Sequence, residues 1–430
     1  MSELFESLAP LLPELEDTYR TLHARPELAF QEENTASIVA GQLTRLGWEV
    51  TTGIGRTGVV GVLRNGDGPV VMLRADMDAL PVREQTGLSY ASTATAVDDS
   101  GGTVAVMHAC GHDLHVTCLL GACAVLAAER DWRGTVIALF QPGEESGYGA
   151  RAVVDDGLFD RFDKPDVILG QHVGPGPAGL VATCPGTVMG ATDSIRIRLF
   201  GRGGHGSKPE SSVDPVVMAA SLVMRLQTVV SRSIAANEPV VVTVGALHAG
   251  TTAAVIPDEA ELSINVRTPS VGVRDQVFTL IERLARAEAD AAGAPRQPEI
   301  TSVYHLPPTV NDPAATARVA TAHRAFFGDH RVLPITTTTA SEDFGILGAA
   351  ADVPYVYWFF GGIEPQRYQA AAAAGRIDED IPQNHAATFA PVLQPSLTIG
   401  VQALVTAALA WLTPALVGAV GDGTAGRAQP

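Results

Sequence analysis

The chain reads as an α/β protein: a mostly parallel central sheet flanked by helices, with an inserted ferredoxin-like α+β domain. Three observations predict this. Up to about Cys184, short and nearly continuous apolar runs alternate with helical patterns, as expected for strands covered on both faces. Near Gly190 the texture changes to strict apolar–polar alternation, the mark of a sheet with one wet face. From Glu299 onward the first texture returns. The expected boundaries are 1–189 with 299–430 for the larger domain and 190–298 for the insertion.

The elements follow in chain order. Val59–Leu63, Val70–Arg74, Thr135–Phe140 and Asp166–Gly170 are apolar runs of strand length. The Leu/Ala-rich stretch Asp113–Arg130 reads as a helix between two of them. In Asp193–Phe200, Ile195, Ile197 and Leu199 share one face while Arg196 and Arg198 share the other. Glu261–Arg267 repeats the pattern with Leu262, Ile264 and Val266. A helical run (Val213–Ser231) and a strand (Val240–Leu247) lie between them, and a second helical run (Arg274–Ala291) follows. Strand–helix–strand–strand–helix is the order of a ferredoxin-like sandwich. Another apolar strand is expected at Pro354–Phe360. Ala386 to Gly421 carries no charge and is long enough to span a membrane, but Pro391, Pro395 and Pro414 interrupt it. Leu397, Val401, Leu404, Val405, Ala408 and Leu412 recur there at helical spacing, so a buried closing helix is predicted. The final GDGTAGRAQP is expected to fray.

Composition narrows the partners. Among 430 residues, 47 acids against 29 Lys plus Arg give a net charge of −18, which argues against a nucleic-acid backbone. A small anionic substrate is not excluded, because one local positive group or a metal suffices to bind it. Four cysteines in this length do not form a disulfide framework. MSELFESLAP has neither the basic nor the apolar region of a secretory leader. A cytoplasmic protein without a membrane partner is expected.

The densest chemistry is Met107-His-Ala-Cys-Gly-His-Asp-Leu-His115, where Cys110 keeps company with three of the chain's eleven histidines. Cysteine with histidine is a donor set for borderline-soft divalent metals. Cys110 and His112 are expected on a turn just before the helix, whose N-terminus should lower the thiol pKa. His108 and His115 read as supporting or packing residues, and Cys118 and Cys123 as small core residues. Other apolar runs end in similar groups: Asp76 and Asp78, Glu144 and Glu145, and His172. Open α/β sheets bind ligands at that edge. Adjacent glutamates beside a metal pair can divide the work, one ligating and one taking a proton. His385, on a loop before the closing helix, is a further candidate. The turn Gly201–Pro209 presents His205; it lacks the Gly-Lys-Ser/Thr ending of a phosphate cradle.

R-A-D-M-D-A-L-P (74–81), M-H-A-C-G-H-D-L-H (107–115), Q-P-G-E-E (141–145), G-R-G-G-H-G-S-K-P (201–209), S-E-D-F (341–344) and N-H-A-A-T-F (384–389) together resemble a known set of ordered motifs. They are similar to those of the amidohydrolase branch of the co-catalytic, two-metal metallopeptidases. That branch includes aminoacylases, hippurate hydrolases and auxin-amino-acid amide hydrolases. The resemblance implies a catalytic α/β domain with an inserted lid that also forms a homodimer. It implies hydrolysis of the amide bond of N-acyl amino acids by water activated between two divalent ions. Zinc or manganese is the first expectation for these ions, with cobalt or nickel as alternatives. The implied ligands are Cys110, His112, Glu145, His172 and His385, the cysteine standing where relatives carry a bridging aspartate. Glu144 is implied as the general base, and Asp78 as the group that orients a ligating histidine. His205 would reach the substrate carbonyl from the lid, across a dimer. Arg267 would clamp a substrate carboxylate and Glu342 would lie near the site. Two rivals stand beside this reading: a dipeptidase or carboxypeptidase with the same site, and a metal- or ligand-binding homologue without turnover. Two departures bear on substrate type and support: Ala254 replaces the usual amide before Val-Ile-Pro, and Ala386-Ala387 replaces Ser-Pro after His385.

Overall fold

The computed structural model describes residues 5–98 and 100–413, and the chain forms two compact units. The C-terminal residues expected to fray, with Pro414, lie outside the described residues. The first unit comprises the chain up to Gly186, Val310–Thr336, and Asp343 onward; the second comprises Thr187–Thr309 and Thr337–Glu342.

The first unit is built on an eight-stranded sheet. Its order is Glu49–Ile54, Gly58–Asn65, Gly134–Gln141, Val70–Asp76, Val167–Pro177, Tyr355–Ile363, Val181–Thr183 and Val332–Pro334. The four strands from Gly134–Gln141 to Tyr355–Ile363 run parallel, and the antiparallel pairings lie outside them. Gly134–Gln141 is buried along its whole length, which explains its unbroken apolar run. Helix His112–Ala128 is apolar all round because it packs against the sheet, helix Leu12–Ala24 and the closing helix Leu393–Leu412. The two helices approach closely through small residues. A Cβ placed on Gly121 would stand 2.5 Å from Val401, and one on Gly400 would stand 2.4 Å from the Cys118 sulfur. Cys118 and Cys123 are fully buried core residues. Leu393–Leu412 has the length and apolarity to cross a membrane, but most of it is buried within the unit. Leu397, Val401 and Leu404 alone remove side chains worth about 1.5–3 kcal/mol each from water.

The second unit is the ferredoxin-like sandwich. Its antiparallel sheet has the order Val241–Ala249, Glu259–Thr268, Ala191–Phe200, Glu299–Leu306. Helices Pro215–Ser233 and Val271–Ala292 pack on it, so that Leu222, Leu226 and Ile281 meet Ile195, Ile197, Leu262 and Ile264. On the other face Arg198 bridges Glu259 and Glu299 on the flanking strands, at 2.6 and 3.2 Å. The expected boundary at 298 is corrected. Glu299–Leu306 is the fourth strand of this sheet, with Arg198 opposite Glu299 and Thr192 opposite Leu306. Its sequence hid this: Ile300 is only partly buried, and exposed Val303 is an unpaired bulge opposite Ser194 and Ile195 that breaks the register. A short return segment, Thr337–Glu342, also belongs here rather than with the larger domain.

Candidate metal centre

Parallel strands deliver their last residues to one edge of the first unit's sheet. Val70–Asp76 ends in Asp76, and Asp78 follows; Gly134–Gln141 leads into Glu144 and Glu145; His172 lies within Val167–Pro177. The loop to helix His112–Ala128 brings Cys110. Gly111 sits at φ +84°, and a Cβ there would stand 2.5 Å from Val173, so only glycine lets this turn press on the His172 strand. His112 is the first residue of the helix, one step inside the position expected for it.

Donor atoms converge. The Cys110 sulfur lies 3.4 Å from His172 Nε2, and the His172 Nδ1–H is donated to the Val173 carbonyl at 2.7 Å, which leaves Nε2 facing the thiol. His385 Nε2 lies 3.3 Å from Glu145 Oε1. His112 Nε2 lies 3.9 Å from both Glu144 and Glu145, and its Nδ1 lies 3.4 Å from Asp78. The ligand atoms of Cys110, His112 and His172 fall within 4.8 Å of one another, as do those of Cys110, Glu145 and His385. Cys110 belongs to both triads.

These residues fit a cationic group. Both ring nitrogens of buried His112 lack a hydrogen-bond partner, and so does Glu145 Oε1, a costly state for buried polar atoms unless something else binds them. Charge tells the same story. The neighbouring Cys110 thiol and Glu145 carboxylate push His385 up to about 10. Burial works against a charged His112, but Asp76 and Asp78 outweigh it and hold the ring well above its usual range. Protons thus supply positive charge to a cluster of acids and a thiol, a role a metal takes by displacing them. One expectation is overturned. Cys110 is not acidified by the helix N-terminus: burial, then the charge of Glu145, pushes its thiol up.

The surrounding shell was only partly visible in the sequence. Buried Arg74 donates to Asp76 (2.7 Å), Gln141 (2.9 Å) and Asp343 (3.0 Å). The Val173 N–H donates to His115 Nε2 at 2.8 Å, so the His115 proton is on Nδ1 and is donated to Asp76 at 2.5 Å. His115 therefore ties the strand of His172 to Asp76 and has no nitrogen left for a metal, in keeping with its supporting role. His108 is buried, and burial pushes it down to about 4, so it is neutral. Asp78 accepts from the Glu144 and Glu145 amides at 3.1 and 2.9 Å. It thus braces the glutamate turn as well as standing beside His112. Asn384 donates to the Cys110 and Val173 carbonyls, both at 3.2 Å, beside His385. His385 itself adopts φ +73°, strained for a non-glycine, and its N–H is donated to Ala109 at 2.8 Å. Arg74, Gln141 and Asn384 lay inside quoted motifs, where a buried arginine at a strand end was the available signal. Asp343 also lay inside a quoted motif, S-E-D-F, but its partners are 202 and 269 positions away, so its role could not be read there.

Three expected residues fall in the second unit. His205 is exposed on the two-residue strand Gly204–His205, paired with Val255–Ile256. The Ser207 N–H donates to its Nδ1 at 3.1 Å, which puts the ring proton on Nε2. Arg267 donates to the Thr339 carbonyl at 2.9 Å and lies 3.3 Å from Ser341 Oγ. Glu342 is buried, and its carbonyl accepts from Thr309 at 3.3 Å.

Comparison with known proteins gives a consistent picture. Residues 72–394 match a family model described as peptidase family M20/M25/M40. Hippurate hydrolase of Campylobacter jejuni is 37% identical over 362 residues, covering 82% of this chain and 90% of that protein. Thermostable carboxypeptidase 1 of Saccharolobus solfataricus is 33% identical over 393 residues, covering 88% and 95%. The crystal structure of a dinuclear metal-binding peptidase of the M20 family from Bacillus subtilis matches with a TM-score of 0.75 at 28% identity, covering 93% and 98%.

Proposed function

The chain belongs to peptidase family M20/M25/M40 and is a metal-dependent amidohydrolase, and we propose that it hydrolyses the amide bond of N-acyl amino acids. The observation that carries this reading is the pair of triads sharing Cys110, with Glu144 beside them on the same turn as Glu145. Cys110, His112, Glu145, His172 and His385 would hold two divalent ions, zinc or manganese first. Such ions supply Lewis acidity to a water and to the scissile carbonyl. Glu144 takes the proton of the attacking water as its oxygen bonds to the carbonyl carbon. It then gives that proton to the amine nitrogen as the C–N bond breaks. His205, with its proton on Nε2, would reach across the dimer and donate to the carbonyl oxygen as negative charge grows there. A free carboxylic acid and an amino acid leave. Asp78 keeps Glu144 in place through the backbone, Arg267 is assigned to the substrate carboxylate, and Glu342 to the vicinity of the site.

Glu144→Gln tests this. Metal content and fold should persist while kcat falls by about 10²–10⁴; substantial residual turnover would remove Glu144 from the role. The carboxypeptidase reading is favoured by the 33% identity to thermostable carboxypeptidase 1. A panel of N-acyl amino acids against peptides separates the two, since both use one site. The same proposal includes a cytoplasmic homodimer formed through the second unit. Its helix Pro215–Ser233 exposes Val217 and Met224, and its edge strand exposes Val241 and Leu247.

A further inference from the structure

We propose that Glu32 is a positioning residue: its carboxyl holds the Gly143–Glu145 turn, and so the aim of Glu144, through hydrogen bonds rather than through charge. This rests on the reading of Glu144 as the proton carrier.

Glu32 stands at the start of helix Glu33–Arg45, yet its side chain makes no cap bond to that helix. The amides there are taken instead by Glu27, which accepts from Asn34 N at 3.0 Å and Thr35 N at 2.9 Å. The Glu32 carboxyl is fully buried and turned elsewhere. Its Oε1 accepts from the Gly143 N–H at 2.8 Å and the Phe30 N–H at 2.9 Å, and its Oε2 accepts from the Thr57 hydroxyl at 2.5 Å. Asp78 takes the next two amides, those of Glu144 and Glu145. Three consecutive N–H groups are thus held by two buried acids.

The surroundings are built for this turn. Gly143 adopts φ +64°, and a Cβ there would stand 2.6 Å from the Phe30 ring. Phe30 itself lies at φ +63° and Arg56 at φ +90°, both rare for residues with a side chain. The Arg56 guanidinium stacks 4.4 Å from the centre of the Phe30 ring. Strained backbone of this kind persists where its neighbours over-determine it. Here the Phe30 ring abuts Gly143 of the turn that carries Glu144, and Arg56 stacks on that ring. Burial, then the neighbouring Asp78 charge, pushes Glu32 up to about 7, so a neutral group of the same shape is a fair substitute.

The test compares Glu32→Gln, Glu32→Asp and Glu32→Ala in the metal-loaded full chain. Turnover is read with N-benzoylglycine, and amide hydrogen exchange is read on the peptide 141–148. Glutamine keeps the reach and the acceptor oxygen; aspartate keeps the charge but is one methylene too short to span to Gly143. Glu32→Asp and Glu32→Ala should lose about tenfold to a hundredfold in kcat with KM within about twofold, as a displaced general base requires. Exchange of the turn should quicken about tenfold in both, while Glu32→Gln stays within about threefold of the parent. If aspartate behaves as the parent and glutamine as alanine, charge is the agent and the proposal falls. Unchanged kcat and exchange in folded Glu32→Ala overturn it as well. Should that variant not fold, the glutamine–aspartate contrast decides alone. Should the parent hydrolyse no acyl amino acid or peptide, the hydrolase reading fails, and the exchange series still judges the turn.

Discussion

His23 offers a quantitative test of how the helix His112–Ala128 is anchored. The ring is fully buried, with Nδ1 2.6 Å from Asp113 and Nε2 3.0 Å from Glu84. Asp113 is the residue after His112 on that helix. Burial opposes a charged imidazole here, but the hydrogen bonds to Asp113 and Glu84 outweigh it and push His23 up to about 10. Both acids are correspondingly lowered. The folded protein therefore keeps a proton that an unfolded chain releases near pH 6.5. Stability from this group is complete below that pH and is lost as pH rises through about 10. A rise from 6.5 to about 10 amounts to about 4–5 kcal/mol, at about 1.36 kcal/mol per pH unit. His23→Gln removes the cation and leaves two buried carboxylates facing an amide, a loss of about 3–5 kcal/mol near neutral pH. Urea unfolding of parent and variant at fixed metal concentration, at about pH 6.5, 8 and 9.5, checks this. The stability gap should narrow steadily toward alkaline pH. Parallel curves across that range would refute the assignment of a buried imidazolium.

Three further outcomes are expected. Gly143→Ala places a methyl group against the Phe30 ring at a left-handed φ, so it should lower stability by about 2–4 kcal/mol in urea unfolding and cut kcat more than tenfold. Cys110→Ala should lose bound metal by elemental analysis, because the sulfur belongs to both triads; full occupancy would contradict the ligand assignment. If the proposed dimer forms through this face, the parent should sediment as a dimer, and replacing exposed Val217 and Met224 together by aspartate should yield a monomer without unfolding the second unit; a monomeric parent or an unchanged mass would refute it.

The site was legible in the sequence wherever chemistry and strand ends coincide. Asp76, Glu144 and Glu145 each follow an apolar run, and a parallel sheet brings such ends to one edge, so pattern alone was enough to group them. What escaped depended on partners far along the chain. Glu32 sits 111 residues from Gly143, and nothing near it in sequence distinguishes it from Glu33 beside it. The thiol was misjudged because a helix N-terminus is a local cue, whereas burial and the Glu145 charge are set by the whole fold. Glu299–Leu306 was misplaced because an edge strand with a bulge at its own exposed Val303 shows no clean period. Asp193–Phe200 and Glu261–Arg267 were legible because each buries alternate residues, Ile195, Ile197 and Leu199 in one and Leu262, Ile264 and Val266 in the other, within slightly longer strands.

The return segment Thr337–Glu342 changes what kind of object the second unit is. A domain pasted into a host once is joined to it by two connections and can be cut out whole. Here the chain crosses between units four times, after Gly186, Thr309, Thr336 and Glu342. A fragment ending at Thr309 would lack the carbonyl of Thr339 that receives the Arg267 guanidinium, and the carbonyl of Thr338 that receives the Gly190 N–H. Swapping this unit between relatives is therefore a two-piece graft. The second piece ends at the peptide bond between Glu342 and Asp343, one residue short of the acid that Arg74 holds. Shuffling that ignores the short piece would exchange most of the second unit while leaving its return segment behind.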